Sequence, residues 1–423
     1  MAEPAPKIGH PSASLGLDEV RSAAASLAGQ ILRTPALEAP KLSALADARV
    51  FIKYENLQAT GSFKERGALL KLLSLDRAAR KRGVIAISAG NHAQAVAYHA
   101  RRLDIPATIV MPVDTPFNKV SSTEAYGATV ILSGETVAES KIVADELRAQ
   151  NGFTLVHPFD DPIVMAGQGT AGLEFLEDCP SLDALIVPIG GGGLISGVAT
   201  AMKALRPEIE IFGVEVDSYP STYRALRSEE ALCGGSTLAE GIAVRGAGIH
   251  TLPIVRDLVS EIFLVGESQI EDAIFILASV QKTVAEGASA AALGALLAHK
   301  QRFAGKKVGF FQSGANIDSR VLASILIRGL ERESKIVSLR LSVNDRPGIL
   351  GEIASELGRC GANILEVHHR RMFLDAPAKG AVVELLIETK DKMHAEKTIE
   401  RLRQTGLEVT RLNGASKPGA ANS

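Results

Sequence analysis

Residues 60–69, TGSFKERGAL, set Lys64 between an aromatic and an acid where a helical pattern begins. Most lysines are solvated surface charges. A lysine fixed at a helix start and partly desolvated is different, because its amine becomes a nucleophile suited to Schiff-base chemistry with an aldehyde. The Gly61–Ser62 pair before it reads as a tight turn and helix N-cap that would hold it there. A second stretch, PIGGGGLISG at 188–197, follows the apolar run DALIV and opens the helical pattern LISGVATAMKAL. Gly190, Gly191, Gly192 and Gly193 remove every Cβ where the backbone must curl around an anion, and the next helix aims its N–H groups at that anion. Flexible linkers do not sit between a core strand and a core helix, so the loop suits one phosphate. Its glycines lack the dinucleotide spacing, and no Lys-Ser/Thr pair follows as in a P-loop. A third stretch, ISAGNHAQAVA at 87–97, presents Ser88, Ala89, Gly90, Asn91 and His92 at the carboxyl end of a strand. Its hydroxyl, amide and N–H groups could cradle a substrate carboxylate. Ser88 or Asn91 reads also as an N-cap, and His92 equally as a helix-start residue with a structural hydrogen bond. In a fourth stretch, GFFQSGANID at 309–318, Ser313 taken alone is a turn serine. Taken together, a reactive lysine, a glycine cradle, a carboxylate-binding turn and a neutral hydroxyl are what a pyridoxal phosphate enzyme acting on an amino acid requires.

These groups need strands and helices to hold them. From Val50 to Phe311, short β-branched runs (VFIKY, GVIAIS, ATIVMP, ATVILS, DALIVPIG, IEIFGVEV, KVGFFQSG) alternate with longer amphipathic stretches such as NHAQAVAYHARRL. The alternation predicts α/β architecture, parallel sheets flanked by helices, with ligands bound past the carboxyl ends of the strands. The charged stretch RGLERESK, 328–335, reads as a linker. Beyond it, residues 336–412 follow the order β-α-β-β-α-β, a ferredoxin-like α+β unit. Residues 1–16 and 413–423 read as flexible tails.

The whole chain is consistent with this. Its 423 residues, 46% hydrophobic, are too many for one small domain, and 46 basic against 48 acidic side chains give no electrostatic footprint for nucleic acid. No run approaches the roughly 20 apolar residues of a membrane span. The first residues lack the marks of a secretory or transit peptide, so a cytoplasmic protein is expected. Cys179, Cys233 and Cys360 are odd in number and far apart, which fits reduced thiols.

In order, SFKERGA, SAGNHAQ, GGGGL, TLAEGIAV, VAEGASA and SGANID resemble the fold type II threonine/serine dehydratases of the tryptophan-synthase β family, over about residues 17–330. The C-terminal unit, with NDRPGIL at its first loop, is similar to an ACT domain, an amino-acid-sensing module. The resemblance implies pyridoxal 5'-phosphate held by Lys64 as an imine, with Lys64 then acting as the base at Cα. It implies Phe63 against the ring, Asn91 at the phenolic oxygen, Gly190 to Gly193 and Leu194 at the phosphate, and Ser313 facing the ring nitrogen. Ser88, Ala89, Gly90, Asn91 and His92 would surround the substrate carboxylate. L-threonine would give 2-oxobutanoate and ammonia, with L-serine a second substrate. At the ACT domain (336–412) a small amino-acid effector would bind near Asn344, Arg346, Gly348 and the facing Asn363, across a subunit interface of a homodimer or homotetramer.

Serine racemase shares most of these motifs but usually carries a second serine where this chain has Ala89. Alanine cannot exchange a proton, so elimination is favoured over racemisation. Racemase-like relatives also bind a divalent metal through acids after the strand matching FGVEVDSYPS. Glu215 is present here, but the second position is Ser221, and no metal is expected. Ala315 and Ser289 stand where the family usually has glycine, which leaves room for another β-hydroxy acid as substrate, 3-hydroxyaspartate or a phenylserine. Glu240 and Glu286 are candidate acids near the site, Glu240 equally a solvated loop carboxylate. A non-catalytic amino-acid sensor is the remaining alternative, against which Lys64 and the glycine loop argue.

Overall fold

The computed structural model describes residues 15–370 and 380–412. The expected tails therefore lie outside the described residues, apart from Leu15 and Gly16, as do Arg371 and Met372 of one expected strand. The chain forms two compact units, one ending at Ile317 and one beginning at Asp318. No helix among the described residues is long and apolar enough to cross a membrane.

Among the described residues, the first unit contains ten strands: β1 (Ala36–Glu38), β2 (Arg49–Lys53), β3 (Val84–Ile87), β4 (Ala107–Met111), β5 (Thr129–Leu132), β6 (Thr154–Leu155), β7 (Ala184–Pro188), β8 (Glu210–Val216), β9 (Glu261–Val265) and β10 (Lys307–Phe311). They make two sheets, ordered β1-β2-β10-β7-β8-β9 and β5-β4-β3-β6. Every pairing is parallel except that of β1 with β2. Parallel strands are covered by helices on both faces and so read as unbroken apolar runs, and all five residues of β7 are buried. The short β1 and β6 and the strand β9 were not apparent from the sequence pattern.

The helix Pro162–Asp178 sets the spacing of the site. On one side it meets the helix Lys64–Leu73, where a Cβ on Gly167 would lie 2.7 Å from Gly67 Cα. On the other it meets the helix Gly193–Leu205, where a Cβ on Gly197 would lie 2.1 Å from Met165 O. Backbone therefore touches backbone at both crossings, and only glycine permits that approach. The lysine helix and the glycine-loop helix are thereby docked on one shared helix. Gly167→Ala forces the first crossing apart. We expect a loss of about 1–3 kcal/mol, read as a lowered thermal midpoint.

The second unit is an antiparallel sheet in the order β12-β13-β11-β14, made of β11 (Ile336–Asn344), β12 (Asn363–Arg370), β13 (Gly380–Glu388) and β14 (Glu408–Leu412). Val337, Leu339, Leu341 and Val343 alternate inward with Ala381, Val383, Leu385 and Ile387, and helices Ile349–Cys360 and Lys392–Gln404 bury Ile353, Leu357, Ala395 and Leu402 against them. Period-2 and period-3.6 patterns in the sequence match these elements closely. The expected linker does not: the helix Ser319–Arg332 runs into it, and Ser334 and Lys335 turn directly into β11. Its charges occupy the outer face of an amphipathic helix whose Ile325 and Gly329 are buried.

Candidate active site

Three of the motif-bearing turns leave the carboxyl ends of β3, β7 and β10, and the last two strands are neighbours in one sheet. Lys64 is the first residue of its helix. Ser62 is not the cap. It forms a bridge with Gly314, Phe63 N–H donates to Ser313 O at 3.0 Å, and the helix starts only after Phe63. Gly61, at φ 74°, makes the turn before it, so the loop carrying Phe63 and Lys64 is tied to the Ser313 turn.

The two residues after Lys64 fix the helix from below. Glu65 accepts Thr60 N–H and faces His99 Nε2 at 3.2 Å. Arg66 is fully buried and donates to Glu55 (2.7 Å twice), Glu174 (2.7 and 2.8 Å) and Thr170 (3.0 Å). Buried Lys53 joins this cluster through Glu174 at 2.6 Å. The Lys64 amine, by contrast, has no carboxylate bonded to it and donates to Pro158 O at 2.7 Å. Its side chain is part-buried, and desolvation pulls the amine down to about 8 against the opposing charge of Glu286. Its Nζ lies 5.1 Å from the centre of the Phe63 ring.

The glycine loop joins β7 to the helix Gly193–Leu205. A Cβ on Gly191 would lie 2.2 Å from the Phe159 ring, on Gly192 2.9 Å from Thr251, and on Gly193 2.9 Å from the Phe159 backbone. Gly192 also sits at φ 91°. Among the described residues, the N–H groups of Gly190, Gly191, Gly192, Gly193 and Leu194 donate to no protein acceptor. Five unpaired amides at a helix N-terminus, with no side chain in the way, fit a phosphate group.

The turn after β3 has Ser88 Oγ accepting from Gly90 N–H at 3.2 Å, and nothing lies within 4 Å of a Cβ on Gly90. The Ala89 methyl packs on the apolar core. His92 turns away from the cradle. Its buried ring donates from Nε2 to Val156 O at 2.8 Å, and burial pushes it down to about 3, so it is neutral and leaves only its backbone at the turn. Asn91 faces the site's interior. Its Nδ2 donates to both oxygens of Glu286 (2.8 and 3.0 Å), and its Oδ1 accepts from Asn316 Nδ2 at 2.7 Å. Burial raises the carboxyl of Glu286, which begins the helix Gly287–Ala298. Glu240 is instead at the rim, 70% exposed and ion-paired with Lys119.

Ser313 is buried just past β10. Ala315 and Ser289, which stand where glycines were expected, have no positive φ, and Ser289 lies in a buried helix where its hydroxyl finds no hydrogen-bond partner among the described residues. Glu215, fully buried, spends its oxygens on the N–H groups of Thr222 and Tyr223, each at 2.8 Å, and burial lifts it to about 7. In the second unit, Asn344 and Asn363 end up at opposite ends of the sheet, paired with Gly380 and Glu388 respectively, so they do not face each other within one chain. Arg346 is paired with Glu352, and Gly348 starts the following helix at φ 91°.

Sequence reasoning missed the segment His157–Asp161. Pro158 receives the lysine amine, Phe159 covers the glycine loop, Asp160 accepts from Ile249 and His250 N–H, and Asp161 caps the next helix and pairs with Lys71 at 2.5 Å. Asp161 followed by Pro162 was a legible helix start.

A lysine amine and an open phosphate cradle, joined through Pro158 and Phe159 at strand ends of a parallel α/β unit, suit a pyridoxal phosphate site, and the chain belongs to the pyridoxal-phosphate dependent enzyme family, matched over residues 27–314, with an ACT domain matched over 337–406. It is 42% identical over 395 residues to an L-threonine ammonia-lyase of Thermotoga maritima, covering 93% of this chain and 98% of that protein. Among solved structures it is similar to the processed form of threonine deaminase isoform 2 from Solanum lycopersicum (32% identical, TM-score 0.70, 77% of this chain and 98% of that one). Maize serine racemase is also similar (35% identical, TM-score 0.70, 76% of this chain and 99% of that one).

Proposed function

We propose that this protein converts L-threonine to 2-oxobutanoate and ammonia, with L-serine as a second substrate, and that a small amino acid bound at the ACT domain regulates it. The observation that carries the reading is Lys64, a lysine amine of lowered proton affinity bonded to Pro158 O, while the adjoining Phe159 covers the loop of five unpaired amides. Relatives named for threonine ammonia-lyase and threonine deaminase activity support it. Pyridoxal phosphate, when bound, supplies the electron sink that acidifies the substrate Cα–H.

The residues of this chain do the rest. Gly190 to Gly193 and Leu194 would hold the phosphate by their amides, Phe63 would lie against the ring, Asn91 would donate toward the phenolic oxygen, and Ser313 would meet the ring nitrogen with a hydroxyl. That hydroxyl is neutral and does not hold a proton on the nitrogen as a carboxylate does. The Ser88–Asn91 turn receives the substrate carboxylate at a helix N-terminus. Lys64, with proton affinity already reduced by burial, would take the Cα proton; the β-hydroxyl then departs with a proton as water, and a second water hydrolyses the enamine to 2-oxobutanoate and ammonia. Ala89 offers no second proton-transfer group on the other face, which argues against racemisation despite the similarity to serine racemase.

The test is 2-oxo acid release from L-threonine, L-serine, threo-3-hydroxyaspartate and L-threo-phenylserine. The reading predicts fastest turnover of L-threonine. Consumption of another of these with threonine inert would overturn the substrate assignment.

For the ACT domain, Asn344 and Asn363 meet only if a second copy supplies one of them, so the effector site is proposed to lie across a homodimer or homotetramer interface. Titration calorimetry with isoleucine and valine is expected to show binding that Arg346→Ala weakens. Heat-silent titrations with both would contradict it.

A further inference from the structure

Asn91 belongs to a chain of polar groups whose direction is fixed at both ends. We infer that Asn316 is a positioning residue that sets, together with Glu286, which end of the Asn91 carboxamide faces the cofactor. This rests on the proposed role of Asn91 at the phenolic oxygen. The backbone carbonyl of Thr60 can only accept. It takes Asn316 Nδ2 at 2.8 Å, so the amide end of Asn316 is fixed. The same Nδ2 reaches Asn91 Oδ1 at 2.7 Å, and an –NH₂ group requires an acceptor there. On the opposite edge, both carboxyl oxygens of Glu286 accept from Asn91 Nδ2.

Two neighbours on opposite edges thus select one of two nearly isosteric orientations of a carboxamide. The flipped form would set –NH₂ against –NH₂ and carbonyl against carboxylate, losing the hydrogen bonds on both edges. Gly61 makes room for this arrangement, since a Cβ there would lie 2.8 Å from Asn316 Oδ1. Thr60 is itself anchored, because its N–H donates to Glu65, and Glu65 faces His99 Nε2, whose Nδ1 lies 3.0 Å from Arg102 Nη1. Arginine can only donate, so His99 Nδ1 accepts and Nε2–H is the donor to Glu65. One N–H of Asn91 Nδ2, shared between the two Glu286 oxygens, satisfies that edge, and the second N–H is left to act only as a donor. A donor stabilises an anionic phenolic oxygen and lowers the pH at which the bound cofactor loses its proton.

The charged group facing Lys64 is Glu286; of the two histidines also near it, burial pushes His92 down to about 3 and lowers the proton affinity of His157. None of these changes in an Asn316→Ala variant, which introduces no charge. The experiment titrates the visible absorbance band of the holoenzyme against pH in wild type, Asn91→Ala, Asn316→Ala and the double variant. We expect Asn91→Ala to raise the midpoint by about one pH unit and Asn316→Ala by about half a unit. In the Asn91→Ala background, Asn316→Ala should have no further effect, because it acts through Asn91. An equal shift in both backgrounds, or none in Asn316→Ala alone, would overturn the inference and leave Asn316 as a staple for the Thr60 loop. No shift in Asn91→Ala overturns the reading of Asn91 itself, and the inference falls with it. Should Asn316→Ala not fold, Asn316→Ser, which keeps one donor, is read by the same cycle.

Discussion

Lys64→Ala gives a folded protein without the visible cofactor band and with turnover lowered by about 10³-fold or more, since both the covalent anchor and the Cα base are lost together. No neighbouring lysine can take over. Lys53 is buried on Thr34 O and Glu174, Lys71 is paired with Asp161, and Lys119 with Glu240. The helix itself survives the change, because Arg66 and Glu65, not Lys64, tie its first turn into the core. The thermal midpoint should therefore stay near that of the wild-type apoprotein. Absorbance, turnover and melting of the same preparation check the three parts, and a variant that keeps the band would contradict the assignment.

Gly191→Ala is expected to weaken pyridoxal phosphate binding by roughly 10- to 100-fold, the equivalent of about 1–3 kcal/mol of overpacking. The new methyl lies 2.2 to 2.3 Å from three carbons of the Phe159 ring. That ring cannot retreat easily: it stacks edge-on with His157 at 4.7 Å, and the backbone on either side of it is held by the His157 ring and by Asp161 at the next helix. The glycine loop must give way instead, and with it the aim of the amides. Gly190→Ala is the internal comparison. Its Cβ would meet its nearest neighbours at 3.2 Å, so a smaller loss is expected. Fluorescence titration of the apoproteins with cofactor measures both, and equal affinities for the two variants would show that the Phe159 contact is not what makes position 191 special.

The parts of the molecule that could be read in advance are those governed by local rules. Apolar runs ending in Gly, Ser or Pro gave the parallel strands, and the alternation in β11 and β13 gave the second unit almost to the residue. Lys64 and Gly190 to Gly193 were legible because their chemistry needs those residue types in that order. His92 was not, because whether a histidine at a helix start turns inward depends on Val156, sixty-four residues away. Asn344 and Asn363 face each other only in a sequence diagram. In the antiparallel sheet they pair at opposite ends of β13. The glycines at 67, 167 and 197 gave no signal as a set, since each alone reads as a tolerated weakness in a helix. They matter through crossings between distant segments, and so does the Arg66 cluster, which draws on residues 55, 66, 170 and 174.

The central claim is that Lys64 is the residue that carries pyridoxal phosphate. Borohydride reduction of the holoenzyme followed by peptide mass mapping tests it most directly. One modified peptide is expected, the one containing Lys64, with the added mass on that lysine. A reduced cofactor found on any other lysine, or released without attachment to the chain, would contradict it.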